Sequence, residues 1–227
     1  MKLSFPYGTQ ARCTLAQFSR TLQKHPNLRE LDLKDGATPQ ESPGVPVPFT
    51  LPQLVDLQLR GTVGCISGLT NLIGMSSPLR TVALHFCYPN GQNVPALVDA
   101  TKRIIAAYYE CEGLDHPRKA SHLTVLGSGQ GPLTFLAQPR SGPEPTLELR
   151  FSRMDHLLKI FPLFPLKDTR DFTIEGVVLS SKEHYTILRK MRGLLRLNVS
   201  GVQINPVLEA LNPRNRGLSK GATEVVC

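Results

Sequence analysis

A short phrase recurs along this chain: an apolar residue, two others, an apolar residue, one other, and an apolar residue. Its clearest form is Leu28-Arg-Glu-Leu31-Asp-Leu33. It returns as Leu54-Val-Asp-Leu57-Gln-Leu59, Leu79-Arg-Thr-Val82-Ala-Leu84 and Leu194-Leu-Arg-Leu197-Asn-Val199. Looser copies stand at Ala120-Ser-His-Leu123-Thr-Val125 and Thr169-Arg-Asp-Phe172-Thr-Ile174, with a stub at Leu147-Glu-Leu149. The middle apolar residues fall at 31, 57, 82, 123, 147, 172 and 197, in steps of 26, 25, 41, 24, 25 and 25. A fixed period in this range is the signature of stacked units with one strand, and usually one helix, each. The predicted fold is therefore α/β: a leucine-rich-repeat solenoid, with a curved parallel sheet on the concave side and helices and loops on the convex side.

Side chains alternate faces along a strand. If the leucines face the core, the residues between them line the open face of the sheet in columns. Those columns hold Glu30, Asp32 and Lys34, then Asp56, Gln58 and Arg60, then Thr81, Ala83 and His85. His122 and Thr124 follow, then Glu148 and Arg150, then Asp171, Thr173 and Glu175, and last Arg196, Asn198 and Ser200. Solenoids bind partners on such faces, and mixed charge suits recognition of a protein or peptide by complementarity.

Between strands the chain supplies its return paths. Leu15, Phe18 and Leu22 are spaced as one face of a helix over 14–25, capped by Thr14 and stopped by Pro26. The chain thus opens inside a repeat with no polar cap, which predicts a longer natural protein or a preceding segment that is missing. Pro39, Pro43, Pro46 and Pro48 forbid a helix over 36–50, so an extended loop is expected there. Ile66, Leu69, Leu72 and Ile73 suggest a short helix. The long step of 41 is explained by a helix over 93–111, carrying Val94, Leu97, Val98, Ile104, Ile105 and Tyr108, and a loop over 112–119. Leu123–Leu126 and Leu133–Leu136 flank Gly127-Ser-Gly-Gln-Gly131 and read as a hairpin. Further helices are expected at 154–161, around 185–191 and at 207–211. One domain over 1–211 is predicted, followed by a flexible tail over 212–227.

Chemistry finds little purchase. Gly127–Gly131 is followed by Pro132 and a strand rather than a helix, so it lacks the context of a phosphate loop. Five cysteines, widely spread with no C-x-x-C pair, argue against a disulfide framework and a zinc site. Of six histidines, His85 and His122 occupy outward strand positions and could meet there, but a metal site on them would lack carboxylates at useful spacing. No nucleophile–base–acid set is evident, so no enzyme activity, cofactor or metal is expected. Asn198-Val-Ser200 fits a glycosylation sequon but lies in a strand. The net charge of +8 admits nucleic acid as an alternative partner. Scattered basic residues and the absence of Trp favour a solvated surface instead. With no long apolar run and no signal-peptide core, a cytoplasmic or nuclear location is expected and no membrane partner.

The sequence also resembles a known family. Leu-Pro-Gln-Leu-Val-Asp-Leu-Gln-Leu at 51–59, Pro-Leu-Arg-Thr-Val-Ala-Leu at 78–84 and the hairpin around Gly127–Gly131 look like the repeat region of fungal, basidiomycete-type F-box proteins. Leu147-Glu-Leu-Arg-Phe-Ser, a helix, Asp168-Thr-Arg-Asp-Phe-Thr-Ile and the ending Leu194-Leu-Arg-Leu-Asn-Val-Ser-Gly strengthen the likeness over roughly 14–211. The resemblance implies substrate recognition within a cullin-based ubiquitin ligase, where the repeats hold the substrate and an F-box docks on the ligase adaptor. No F-box is found in this sequence, whose first thirty residues read as one helix leading into a repeat. The adaptor is thus a partner only if an F-box lies upstream.

Overall fold

Evenly spaced leucines fix strand register, because every buried apolar residue must meet another at the same depth. The computed structural model describes residues 2–5, 15–33, 47–74, 79–87, 94–109, 120–127, 132–138, 146–151, 154–201, 204–212 and 224–226. In chain order the elements are β1 (Lys2–Phe5), α1 (Leu15–Gln23), β2 (Glu30–Leu33), β3 (Phe49–Thr50), β4 (Asp56–Thr62), α2 (Val63–Leu72), β5 (Ile73–Gly74), β6 (Thr81–Cys87) and α3 (Val94–Tyr109). Then come β7 (His122–Leu126), β8 (Leu133–Gln138), β9 (Thr146–Phe151), α4 (Met154–Ile160), β10 (Asp171–Glu175), α5 (Ser181–Leu188), β11 (Arg196–Ser200), α6 (Asn205–Leu211) and β12 (Glu224–Val226). This is a mixed α/β fold in which most described strand pairs are parallel. The chain divides into two compact units, Met1–Arg118 with Pro145–Leu149, and Lys119–Glu144 with Arg150–Cys227.

In the first unit the strands lie in the order β1, β2, β4, β6, β9. Leu31 pairs with Leu57 and Leu57 with Val82, reproducing the steps of 26 and 25. All three are at most 1% exposed, and each buried aliphatic side chain contributes about 1.5–3 kcal/mol. α2 packs on α1 and α3. Thr62 ends β4 and caps α2, its hydroxyl accepting from the Cys65 amide at 3.3 Å. The reading of one helix in the first thirty residues missed β1, which pairs with β2 from Lys2 opposite Glu30 to Phe5 opposite Leu33. The cause is that Lys-Leu-Ser-Phe carries the alternation without the leading leucine of the phrase. Ile73 leaves the helix to form β5, which pairs with Phe49 and Thr50 at the end of the proline-rich segment.

In the second unit the order is β8, β7, β10, β11, β12. β7 and β8 form the expected antiparallel hairpin, from His122 opposite Gln138 to Leu126 opposite Thr134. β7, β10 and β11 run parallel, with Leu123, Phe172 and Leu197 in one buried row. Behind them Phe135, Phe161, Phe164 and Phe172 form an aromatic cluster, with ring centroids 4.3 to 5.9 Å apart. The helix expected at 154–161 is α4, which ends at Ile160, and a 3-10 turn, Phe161–Leu163, follows it. Within the segment expected to be a tail, Glu224–Val226 pair in parallel with Arg196–Asn198.

Marker order misplaced one strand. It set Leu147–Leu149 between the strands at 123 and 172, yet β7 pairs directly with β10, Leu123 opposite Phe172. The hairpin is the reason: β8 fills one edge of β7 and β10 takes the other. β9 lies instead beside β6 in the first unit.

Candidate functional site

In each unit the open face of the strands carries the residues between the leucines. In the first unit Glu30, Asp56 and Thr81 stand in one column, Asp32, Gln58 and Ala83 in the next, and Arg60 opposite His85. Burial alternates along β4 and β6, so these side chains lie half-exposed or exposed while their neighbours are buried. Lys2 extends the first column, its ammonium 3.0 Å from the Glu30 carboxylate. The hydrogen bond to Glu30, and then its charge, raise the Lys2 pKa above the ordinary lysine value. Arg80 grips Asp56 with both ends of its fork, Nε to Oδ1 at 3.4 Å and Nη2 to Oδ2 at 3.0 Å. His85 Nε2 lies 3.2 Å from Glu148 Oε1 of β9.

In the second unit a chain of contacts crosses three strands. Ser121 Oγ lies 2.9 Å from His122 Nδ1, and His122 Nε2 lies 3.1 Å from Asp171 Oδ2. The other oxygen of Asp171 is 3.4 Å from Arg196 Nη1. One row along, Thr124, Thr173 and Asn198 are in register, and Asn198 Nδ2 donates to Thr173 Oγ1 at 3.3 Å. Glu175 and Ser200 close the strands, both exposed.

The Ser–His–Asp sequence of contacts resembles the parts of a hydrolase in kind but not in presentation. Ser121 is 6% exposed, its carbonyl is taken by the amides of Arg170 and Asp171, and the carboxylate behind the histidine is shared with Arg196. The arrangement ties β7, β10 and β11 together at the surface and leaves the serine hydroxyl turned to the ring. Among the described residues no group of three or more His, Cys, Asp or Glu is placed to hold a metal ion.

Most predicted site residues thus stand on the open faces, apart from Lys34, which lies outside the described residues. Their grouping differs from sequence order. Glu148 meets His85, and Asp171 meets His122, so both strand histidines find the carboxylate that local spacing denied them. Arg150 is exposed on β9. What sequence reasoning missed is that Gly127, read as part of the hairpin turn, lines up with Gly176 and Gly201 just past three strand ends in the second unit. Gly176 and Gly201 have φ of 63° and 65°. The Gly127 amide donates to the Glu175 carbonyl at 2.8 Å, and the Gly176 amide to the Ser200 carbonyl at 2.9 Å. A signal existed, since Gly176 and Gly201 are 25 residues apart, one full repeat step.

No family model matches the chain, and no curated protein or solved structure matches it either. No helix among the described residues is long and apolar enough to cross a membrane.

Proposed function

We propose that this chain is a protein-recognition module, a leucine-rich-repeat solenoid whose open sheet face binds a partner protein or peptide. The observation that carries the reading is the register of β7, β10 and β11. His122, Asp171 and Arg196 fall in one column and Thr124, Thr173 and Asn198 in the next, while the apolar residues between them are buried. Such a ladder presents hydrogen-bonding groups at the strand spacing of about 4.8 Å, which a peptide or a folded surface can match. The F-box resemblance extends the proposal: the substrate-binding repeat region of a ubiquitin-ligase adaptor, with no catalytic step of its own. Its charges are paired within the face, as in Arg80–Asp56 and Arg196–Asp171. Exposed pairs of this kind contribute about 0–1 kcal/mol to stability, so the face tolerates rearrangement for binding.

The test exploits that pairing. Exchanging the partners, Asp56→Arg with Arg80→Asp and Asp171→Arg with Arg196→Asp, keeps the two arginine–aspartate pairs while inverting the pattern of charge, and gives up the His122 contact to Asp171. Affinity capture at moderate salt, read by mass spectrometry, is expected to recover a partner with the native chain and to lose it with the exchanged one. Identical catches from both, or only nucleic acid that washes off with salt, would remove the reading.

A further inference from the structure

At the strand-start edge of the second unit, two successive return segments, 166–171 and 190–196, lie against each other. The amides of Leu195 and Arg196 both donate to the Arg170 carbonyl, at 2.8 and 2.9 Å. Gly193 sits so close that a Cβ on it would meet the Lys167 carbonyl oxygen at 2.8 Å. This stacking sets the segment that carries Lys167 and Arg170 beside the one that carries Arg192, Leu195 and Arg196; all five are exposed, Leu195 by 51%. Asp168 and Asp171 are the carboxylates on the two segments, and both are half-buried. Asp171 is occupied by His122 and Arg196. Among the described residues neither Lys167 nor Arg170 meets a carboxylate at ion-pair distance. The edge therefore presents positive charge beside an uncovered apolar side chain.

We propose that this edge binds an acidic peptide segment of a partner protein, with a leucine-like residue on Leu195 and flanking carboxylates on Lys167 and Arg170. The proposal rests on the recognition reading above but takes its contacts on Lys167, Arg170 and Leu195, which are not among the open-face residues; Arg196 alone belongs to both. Charge complementarity selects an anionic partner and speeds its encounter, and Leu195 gives that partner an apolar anchor. A nucleic acid fits less well, since neither segment contains an aromatic ring on which a base could stack.

The experiment is fluorescence anisotropy of a labelled Glu-Asp-Glu-Leu-Leu-Asp-Glu peptide with the full chain. Companion probes are the same peptide with serine for both leucines and a single-stranded oligonucleotide of matched charge. The acidic leucine peptide is expected to bind, and its affinity to fall as salt screens the contact. Lys167→Glu with Arg170→Glu should weaken it at least about tenfold, because like charges then face each other. Leu195→Ser should weaken this peptide and leave the serine peptide unchanged. All three residues are exposed, and an unaltered melting curve verifies that each variant is folded. The proposal is overturned by no peptide binding to the native chain, by unchanged affinity in the double variant, or by oligonucleotide binding that exceeds peptide binding and ignores Leu195→Ser. If a captured partner depends on the exchanged open-face pairs but not on Lys167 and Arg170, the edge proposal alone fails.

Discussion

The two units leave their strands in different ways. In the first, β4 passes into α2 with no spacer, because Thr62 is at once the last strand residue and the helix cap. In the second, β10 and β11 each turn on a glycine of positive φ, and after Gly176 the chain buries Val177 and Leu179 before α5 begins at its Ser180 cap. Yet the internal step is the same: Leu57 to Val82 in one unit and Phe172 to Leu197 in the other are both 25 residues. Register is a long-range property set by which apolar residues share a depth in the core. The exit is a local property set by one or two residues of turn or cap chemistry. The two can vary independently, which lets a strand keep its face while the segment behind it changes.

The comparison is most sharply broken at Gly176. A Cβ there would collide with the Gly127 carbonyl oxygen, and its φ is one that side chains disfavour. Gly176→Ala should cost roughly 3 kcal/mol or more in denaturant unfolding. Gly201→Ala, where the nearest backbone atom is 3.3 Å from the added carbon, should cost less. Equal losses would mean that conformational strain alone, without the close approach of neighbouring turns, governs both sites.

A smaller effect separates the caps. Ser180 and Glu183 form a reciprocal capping box, the Glu183 carboxylate accepting from the Ser180 amide at 2.7 Å and the Ser180 hydroxyl accepting from the Glu183 amide at 3.4 Å. Thr62 makes one long bond. Ser180→Ala should lower stability by about 1–2 kcal/mol and Thr62→Ala by about 0.5–1 kcal/mol. A larger loss at Thr62 would show that the spacer-free exit, not the glycine turn, is the weaker of the two.

The smallest effect is in pH. His184 on α5 is 1% exposed, its Nδ1–H donates to the Ser180 carbonyl at 3.1 Å, and burial lowers its pKa. The unfolded chain then binds a proton more readily than the folded one. The stability this histidine contributes in its neutral form is fully present above the ordinary value of 6.5 and is lost as pH falls from there through the folded value. Unfolding free energies measured across that window should decline for the native chain and decline less for His184→Leu. Parallel curves would place the pH dependence elsewhere.

Much of this was readable beforehand. Leu31, Leu57, Leu197 and their neighbours announce strands because their spacing is a long-range pattern written in local residues, and the hairpin is announced by its glycines. β1 was not readable, since Leu3 and Phe5 alternate over only four residues and gain meaning only opposite Leu31 and Leu33. The position of β9 was hidden for a different reason: sequence order does not say that β8 has already taken the edge of β7. The candidate face followed from alternation, but its pairings did not. Glu148 is far from His85 in sequence, and Asp171 far from His122, so only the strand order brings each carboxylate to its histidine.

The hairpin also bears on how much freedom the chain must surrender to begin. Closing β7 on β8 joins Leu126 to Thr134, whereas β7 on β10 joins Leu123 to Phe172. The entropy lost in closing a loop grows with its length, so the hairpin is the less demanding first step. In the first unit the pairings among β1, β2, β4 and β6, and that of β3 with β5, link residues 24 to 28 apart, such as Phe49 with Ile73 and Leu3 with Leu31, and β9 joins β6 from farther still. One half of the molecule contains a short-range seed for its sheet, and the other must bring distant segments together before any of its described pairs can form.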